Sequence, residues 1–212
     1  MNLADIRKQY QMAELNLSDC NADPIVQFKA WMDEAIKAEV REATSMILST
    51  IDANGLPHGR VVLLKDITEG QFVFYTNYES DKGQQMTANP VVALTFFWPQ
   101  LERQIRIEGS VLRQDKASSE RYFQSRPRDS QLSAWASPQS TEVTSKSDLI
   151  ALKANIVSKF EGVDKLPLPP NWGGYQVNPS SIEFWQGRPS RYHDRIKYQL
   201  NDGAWLMNRL AP

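Results

Sequence analysis

The sequence predicts a mainly β fold with flanking helices, of the α+β class. Short runs of β-branched and aromatic residues alternate with turn residues, which is typical of strands joined by tight turns. Residues 46–51 are such a run, and the strong turn signal Asp52-Ala53-Asn54-Gly55 follows them. Residues 60–65 and 72–76 form two further runs on either side of Glu69-Gly70. Three strands at this spacing, with glycine turns, predict an antiparallel sheet or a barrel.

The chain before the first strand divides into a tail and a helix. Residues 1–22 are polar and unpatterned, so we expect a flexible N-terminal segment, with residues 23–212 as a single domain. Asp23-Pro24 predicts a helix start, with Asp as the N-cap and Pro at the first helical position. An apolar face follows at helical spacing, formed by Phe28, Trp31, Met32, Ala35 and Ile36.

Three more helices are predicted between the strands. One covers residues 80–88, capped by Ser80 and ended before Asn89-Pro90. Another begins at Asp115. Ser145-x-x-Asp148 resembles a capping box and opens the third.

The remaining strands are predicted from apolar runs. Residues 91–98 are nearly all apolar, as expected of a strand buried on both faces. Residues 101–109 alternate between apolar and polar. Four closing strands are predicted at residues 172–177, 182–186, 191–199 and 204–210, the last two joined at Asn201-Asp202-Gly203.

Composition excludes several classes of protein. A formal net charge of −1 over 212 residues argues against a dedicated nucleic-acid binder. One cysteine, Cys20, and two histidines argue against a disulfide and against a zinc or iron site, so no metal is expected. The N-terminus has no signal-peptide pattern and the longest apolar stretch is too short to cross a bilayer, so we expect a cytoplasmic protein without membrane contact.

Two basic stretches are candidate ligand sites. If residues 191–195 are extended, Arg191, His193 and Arg195 share one face, and such a face favours an anionic or electron-rich ligand. The alternative is a solvated edge strand, because charged edges guard against aggregation. Residues 125–131 place two arginines and serines in a predicted loop, the donor set that a phosphate requires. In strand 60–65, Arg60 and Lys65 are expected on opposite faces.

Several segments, taken in order, resemble the pyridoxamine 5′-phosphate oxidase family. They are Arg60-Val61-Val62-Leu63-Leu64-Lys65, Phe74-Tyr75-Thr76-Asn77, Glu102-Arg103-Gln104, Ser125-Arg126-Pro127-Arg128-Asp129-Ser130-Gln131, Glu183-Phe184-Trp185-Gln186-Gly187, Arg191-Tyr192-His193-Asp194-Arg195-Ile196 and the closing Asn208-Arg209-Leu210-Ala211-Pro212. The resemblance implies a homodimer of FMN-binding split β-barrels with each active site at the subunit interface. It further implies oxidation of pyridoxamine or pyridoxine 5′-phosphate to pyridoxal 5′-phosphate by O2, with release of hydrogen peroxide and, from the amine, ammonia.

The same resemblance implies roles for individual residues. FMN would be held by Arg60, Val61, Val62, Leu63, Leu64, Lys65, Tyr75, Thr76, Lys82, Gln104, Gln139, Ser140, Trp185 and Arg195. The substrate phosphate would meet Lys65, Tyr122, Arg126 and Ser130, and its pyridine ring would meet Arg191, Tyr192 and His193. An N-terminal segment that can fold over the substrate would be Arg7, Lys8, Gln9 and Tyr10. Arg191, His193 and Arg195 would be the catalytic residues.

One position departs from the family pattern. Ser80-Asp81-Lys82 has an acid where the family pattern has a phosphate-binding arginine, so weaker FMN binding is expected unless Asp81 faces solvent. Two other functions are compatible with parts of the pattern. One is a different split-barrel FMN oxidoreductase of the flavin reductase type, and the other is a pyridoxal 5′-phosphate carrier without turnover.

Overall fold

Nine antiparallel strands form one curled sheet in the part of the chain that the computed structural model describes, residues 9–212. The sheet order is β2-β1-β5-β6-β7-β4-β3, and β8 pairs with both β7 and β9. This architecture confirms the mainly β fold with flanking helices. The strands are β1 (Ser45–Ile51), β2 (Pro57–Leu63), β3 (Asp66–Thr68), β4 (Gln71–Asn77), β5 (Val91–Trp98), β6 (Arg103–Arg113), β7 (Trp172–Gln186), β8 (Asp194–Asn201) and β9 (Ala204–Leu210).

Within residues 9–212, five α-helices flank the sheet, and local capping sets where three of them begin. Asp23, Asp115 and Ser145 each accept a hydrogen bond from a backbone N–H of the following turn, which confirms these predicted starts. Ser80 was expected to cap the second helix, but its hydroxyl instead donates to the Asn77 carbonyl at 2.7 Å. The helices are α1 (Pro24–Lys37), α2 (Asp81–Ala88), α3 (Lys116–Ser125), α4 (Arg128–Ala136) and α5 (Lys146–Lys159). No helix within residues 9–212 has the length and apolar character needed to cross a membrane.

Helix α1 packs against the sheet and covers the main core. Its Phe28 ring packs edge-on against Phe72 and Phe96, with centroids 4.9 and 5.2 Å away, and all three side chains are fully buried. Burying each such ring contributes about 1.5–3 kcal/mol relative to exposure, so this contact anchors α1 firmly on the sheet. A second, smaller core joins α3, α4 and the C-terminal cap of α5 through Phe123, Leu132 and Phe160.

Strand β7 organises the sheet. Its first half pairs with β4 and its second half with β8, while β6 pairs with residues 175–186 of β7. The sequence predicted two strands here, at residues 172–177 and 182–186. The structure has one strand, whose register with β6 shifts between Glu108 and Gly109 of β6. A Cβ on Gly109 would lie 2.0 Å from the Asn178 carbonyl oxygen, so only glycine permits the close approach at the bulge.

Strand β5 is not buried on both faces within one chain, contrary to the prediction. Its residues alternate, and Phe97 is 51% exposed on the side facing away from the core. Strands β1 and β2 continue this surface, since exposed Ile47 pairs with Val61, which is 66% exposed. We call this side of β2, β1 and β5 the outer face. A contiguous exposed apolar surface of this kind is typical of an interface with another protein chain.

The predicted strand at residues 191–199 begins later in the structure. Pro189–Arg191 forms a 3-10 turn, and Ser190 and Arg191 have φ of 55° and 63°. Strand β8 starts only at Asp194, so the expectation that Arg191, His193 and Arg195 share one strand face was wrong. Two successive left-handed residues redirect the chain before the regular alternation of a strand can begin.

Candidate active site

A pocket of about 590 Å³ lies among β2, β4, α2, α3 and α4. Its wall carries both apolar side chains and three cationic ones, Lys65, Lys82 and Arg126. We call it the basic pocket. It brings together eleven of the residues predicted for FMN and substrate: Val61, Val62, Leu63, Lys65, Tyr75, Thr76, Lys82, Tyr122, Arg126, Ser130 and Gln139.

Lys82 is a buried cation at the start of α2. Its ammonium donates to Thr76 Oγ1 and Ser80 Oγ, both at 3.2 Å, and to Gln139 Oε1 at 3.1 Å. All three acceptors are uncharged. Burial lowers the pKa of Lys82, and the nearby Arg60 guanidinium lowers it further. An anion bound next to Lys82 would offset both the burial and the Arg60 charge, and would raise the pKa of Lys82 again.

Arg60 lies behind Lys82 rather than on the wall of the basic pocket. Its guanidinium donates to Thr50 Oγ1 at 2.5 Å and to Gln85 Oε1 at 3.0 Å, which ties β2 to β1 and α2. Burial lowers its pKa as well. Asp81 is exposed and forms no ion pair within 4 Å among residues 9–212, so it only weakly offsets these two cations.

Another part of the wall of the basic pocket is a stack of aromatic rings with a guanidinium group against it. Tyr75 and Tyr122 stack with ring centroids 3.8 Å apart, and Trp172 continues the stack. The Arg126 guanidinium lies 4.7 Å from the Trp172 ring centroid, and its Nη1 is buried without a hydrogen-bond partner in the described part of the chain. Burial lowers the pKa of Arg126. A buried guanidinium N–H without an acceptor is costly, so this group is positioned to receive an anionic ligand.

Ser130 reaches the same wall from a helix. Residues 125–131 were predicted as a loop, but α4 begins at Arg128, so Ser130 lies in the first turn of a helix. Proline at the cap position, with Asp129 in the first turn, favours helix formation here more than the sequence reading allowed. The positive end of α4 would therefore also favour an anion placed near Ser130.

A second group of predicted residues lies at the far end of β7, and we call it the ring wall. Gln104, Trp185 and Arg195 are cross-strand neighbours on β6, β7 and β8. The His193 ring lies 4.7 Å from Trp185, and the Tyr10 ring meets both at 5.6–5.8 Å. The rings of Tyr10, Trp185 and His193 therefore meet at the end of the sheet where β7 finishes.

Arg195 is held by a buried carboxylate. Its Nε and Nη2 donate to the two oxygens of Glu183 at 2.8 and 3.1 Å, and its Nη1 donates to the Ala211 carbonyl. The hydrogen bonds that Arg195 donates to Glu183 raise the pKa of Arg195. Glu183 also lies 3.7 Å from Arg106. These contacts fix the Arg195 guanidinium in one orientation. Glu183 balances only part of its positive charge, because Glu183 also lies near Arg106.

His193 is fixed as one tautomer. The Arg188 backbone N–H donates to its Nδ1 at 3.0 Å, so the proton of the neutral imidazole is on Nε2. Burial lowers the pKa of His193, and Arg191 lowers it further. At neutral pH this side chain is therefore an uncharged hydrogen-bond donor at Nε2.

The other predicted residues lie outside both groups. Arg191 and Tyr192 are exposed beside the ring wall, Ser140 and Gln9 are exposed, and the Leu64 side chain is in the main core. Arg7 and Lys8 lie outside the described residues.

The basic pocket and the ring wall are far apart in one chain. Trp172 lines the basic pocket and Trp185 belongs to the ring wall, and they are separated by roughly 40 Å of strand at about 3.3 Å per residue. Val61 and Leu63 line the basic pocket and are also exposed on the outer face. The pocket therefore opens toward the surface that is suited to a second chain.

Sequence reasoning missed several residues of these two groups. Trp172 in the basic pocket and Glu183 behind Arg195 carry no local signal, since their partners are distant in sequence. Within residues 9–212, no three His, Cys, Asp or Glu side chains cluster in a way that could hold a metal ion.

Comparisons with known proteins agree with this architecture. Residues 32–159 match the family model described as pyridoxamine 5′-phosphate oxidase, and residues 172–212 match the pyridoxine 5′-phosphate oxidase C-terminal dimerisation region. The pyridoxine/pyridoxamine 5′-phosphate oxidase of Chromobacterium violaceum is 52% identical over 213 residues, covering 100% of this chain and 99% of its own. The protein of the same description from Actinobacillus succinogenes is 51% identical over 212 residues, covering both chains completely.

Solved structures share the fold. PhzG from Burkholderia lata 383, in complex with tetrahydrophenazine-1-carboxylic acid, superposes with a TM-score of 0.88 at 27% identity, over 95% of this chain and 100% of PhzG. A pyridoxamine 5′-phosphate oxidase-related, FMN-binding protein from Nostoc punctiforme gives 0.71 at 18% identity, over 87% of this chain and 97% of its own. At this identity, the similarity to the Nostoc punctiforme protein shows a shared fold only. The full-length relatives and the matching models establish that this chain belongs to the pyridoxamine 5′-phosphate oxidase family.

Proposed function

We propose that the protein is an FMN-dependent oxidase that converts pyridoxamine 5′-phosphate or pyridoxine 5′-phosphate to pyridoxal 5′-phosphate with O2 as electron acceptor. The observation that carries this proposal is the pair of cationic positions in the basic pocket, Lys82 and Arg126. Lys82 is buried, Arg126 is half-buried with its Nη1 fully buried, and neither forms an ion pair within residues 9–212. Two phosphate groups, one on the cofactor and one on the substrate, fit two such positions.

The phosphate of FMN fits the position at Lys82. Thr76, Lys82 and Gln139 already converge there through mutual hydrogen bonds, and Arg60 adds a second positive charge from behind. The lowered pKa of Lys82 indicates a site whose positive charge lacks compensation in the absence of an anion. Val61, Val62 and Leu63 offer an apolar wall for the adjoining part of the cofactor.

The substrate phosphate fits the position at Arg126. The unpartnered Nη1 of Arg126 supplies a charged donor, Tyr122 and Ser130 supply hydroxyls, and Lys65 adds a further charge. Binding energy from this remote phosphate would hold the reacting carbon of the substrate in place.

We infer that each complete site takes the basic pocket from one copy of the chain and the ring wall from a second copy. The two groups lie at opposite ends of β7, and the basic pocket opens on the apolar outer face. A twofold symmetric dimer would generate two identical composite sites. Gln104, Trp185 and Arg195 would then meet the cofactor, and Arg191, Tyr192 and His193 the pyridine ring of the substrate.

FMN, when bound, would supply the redox chemistry, by which two electrons and two protons pass from the alcohol or amine group at the substrate's 4′ carbon to O2 to give hydrogen peroxide. With the amine substrate, water would then hydrolyse the resulting imine to the aldehyde and ammonia. The residues of the chain supply orientation and electrostatics. Arg195, held by Glu183, provides a fixed positive group toward the cofactor. His193 donates from Nε2 and orients the ring, because its Nδ1 already accepts from Arg188. It cannot accept a proton at Nδ1 without losing that bond.

The test is a turnover assay with the purified protein and added FMN. Pyridoxine 5′-phosphate should give equal amounts of pyridoxal 5′-phosphate and hydrogen peroxide, and pyridoxamine 5′-phosphate should also release ammonia. Consumption of NADH without action on pyridoxine 5′-phosphate would instead indicate a flavin reductase. Binding of pyridoxal 5′-phosphate without peroxide formation would indicate a carrier. The single cysteine leaves no intrachain disulfide, and we expect the reaction in the reducing cytoplasm.

A further inference from the structure

Residues 10–15 form a strap across the ring wall. Two carboxylates bind its backbone N–H groups, and Arg188 and Arg209 donate to its Ala13 and Leu15 carbonyls. The backbone N–H groups of Gln11 and Met12 donate to one oxygen of Glu102, at 2.7 and 3.1 Å. Further along, the Leu15 N–H donates to Asp194 Oδ2 at 3.1 Å. Glu102 is therefore the attachment point of the strap nearest to Tyr10.

The position of Glu102 is unfavourable for an acidic residue, because the side chain is buried and the backbone is left-handed. Glu102 is 3% exposed and lies in the turn between β5 and β6 with φ of 56°. Burying a carboxylate and placing a residue with a Cβ in the left-handed region both cost free energy. Local turn geometry alone would favour glycine here, so the side-chain contacts of Glu102 must compensate for both costs.

The backbone of Glu102 also contacts the turn that leads to His193. Its carbonyl oxygen accepts from the Gly187 N–H at 2.7 Å and from the Gln186 side chain at 3.2 Å. Gly187 in turn lies under Tyr10, because a Cβ built on it would be 2.6 Å from Tyr10 Cγ. One residue thus joins the strap and the Gly187 turn, which together set where the Tyr10 ring meets Trp185 and His193.

We propose that Glu102 is a positioning residue for the substrate site, acting through Tyr10. Its carboxylate fixes the strap so that the Tyr10 ring closes the aromatic surface that Trp185 and His193 begin. This inference rests on the proposed function, since the ligand of that surface is the pyridine ring. Without the carboxylate, the strap would leave the ring wall more often, and bound substrate would be less well enclosed.

The first test measures the strap without any substrate. Glu102→Gly removes the carboxylate and relieves the positive φ, so this variant should fold. NMR hydrogen exchange of the holoprotein should report about tenfold or greater acceleration at the Gln11 and Met12 amides, because their acceptor is gone. The Leu15 amide, held by Asp194, should change less. Glu34→Gln is the matched control, since Glu34 pairs with the neighbouring Arg103 and has no hydrogen bond to the strap.

The second test asks whether Glu102 acts through Tyr10. Glu102→Gln should raise KM for pyridoxine 5′-phosphate about tenfold, a typical effect of weakening charge-assisted hydrogen bonds, with a smaller change in kcat. In a Tyr10→Ala background the same substitution should change KM less than about twofold, because interacting residues are not additive. Gly187→Ala, which displaces the Tyr10 ring, should reproduce the effect of Glu102→Gln.

The outcomes separate this inference from the proposed function. Unchanged exchange at Gln11 and Met12 in Glu102→Gly would overturn the inference even in a fully active oxidase. An equal KM effect of Glu102→Gln with and without Tyr10 would overturn it as well. Accelerated exchange in a protein that does not oxidise pyridoxine 5′-phosphate would support the anchoring by Glu102 and reject the proposed function alone.

Discussion

The Arg188 backbone N–H donates to Nδ1 of His193 at 3.0 Å, and this hydrogen bond fixes which imidazole nitrogen faces the ligand. Because Nδ1 is occupied as an acceptor, the neutral ring presents Nε2–H. Burial and the Arg191 charge both favour that neutral form by lowering the pKa. The same bond ties His193 to the turn at Gly187 and so to the strap.

We expect His193 to titrate below the ordinary histidine value of 6.5. As the pH falls through 6.5, the unfolded chain binds a proton that the folded chain does not, so His193 lowers the stability of the fold in that window. Arg191→Ala should raise the pKa only partly, since burial is the larger cause. NMR titration measures this, and His58→Gln assigns the signals of the two histidines. A His193 pKa above 6.5 would contradict the hydrogen-bonded neutral tautomer.

Replacement of Arg126 tests the substrate-phosphate position. Arg126→Ala should raise KM for pyridoxine 5′-phosphate by one to two orders of magnitude, corresponding to about 1.5–3 kcal/mol for a lost charge-assisted hydrogen bond. Steady-state kinetics at saturating FMN provides the measurement. Arg121→Ala is the control, because Arg121 is exposed on α3, the helix that ends just before Arg126, and donates only to Ser118 among the described residues. Equal KM values for both variants would remove Arg126 from the phosphate site.

Asp81 tests the electrostatics of the cofactor-phosphate position. Because it is exposed near Arg60 and Lys82, Asp81→Asn should tighten FMN binding to the apoprotein two- to fivefold at low salt, and less at 0.5 M salt, where the Debye length is about 4 Å. Asp81→Arg should tighten FMN binding more than Asp81→Asn does. Fluorescence titration of FMN measures the affinity. Asp148→Asn, an exposed acid in the first turn of α5, should leave it unchanged. Affinity that is independent of residue 81 would mean that this position does not sense the phosphate.

Mixed dimers test the composite site. Arg126→Ala damages the basic pocket and His193→Ala damages the ring wall, so each homodimer should have low activity. If each site takes one group from each copy, a mixed dimer has one intact site. Random mixing should then restore about a quarter of the parent activity, because half of the dimers are mixed and each has one good site of two. Mixing without recovery of activity would place both groups in the site of a single chain.

Features set by neighbouring residues were predicted well from the sequence. The Asp202-Gly203 turn between β8 and β9 has φ of 48° and 81°, as the Asn201-Asp202-Gly203 pattern predicts for a two-residue hairpin. Asp23 and Asp115 cap their helices because the group that they accept from lies two or three residues away. Local chemistry of this kind can be read from a short window of sequence.

Features set by distant residues could not be predicted in this way. The residues near Glu102 in the sequence do not predict its hydrogen bond to a strap 90 residues earlier in the chain. The apolar run of β5 predicted burial on both faces, but a sequence does not distinguish cover by the same chain from cover by a second one. The alternation assumed for Arg191 to Arg195 failed at Ser190 and Arg191, whose left-handed backbone has no clear local signal.

The half-reaction observed in the absence of oxygen tests the central claim most directly. Anaerobic addition of pyridoxine 5′-phosphate to the FMN-loaded protein should bleach the flavin absorbance near 450 nm, at roughly one pyridoxal 5′-phosphate formed per flavin, since FMN takes up two electrons. Admission of air should restore the yellow colour with formation of hydrogen peroxide. A flavin spectrum that pyridoxine 5′-phosphate and pyridoxamine 5′-phosphate leave unchanged, or a protein that does not bind FMN, would contradict the proposed function.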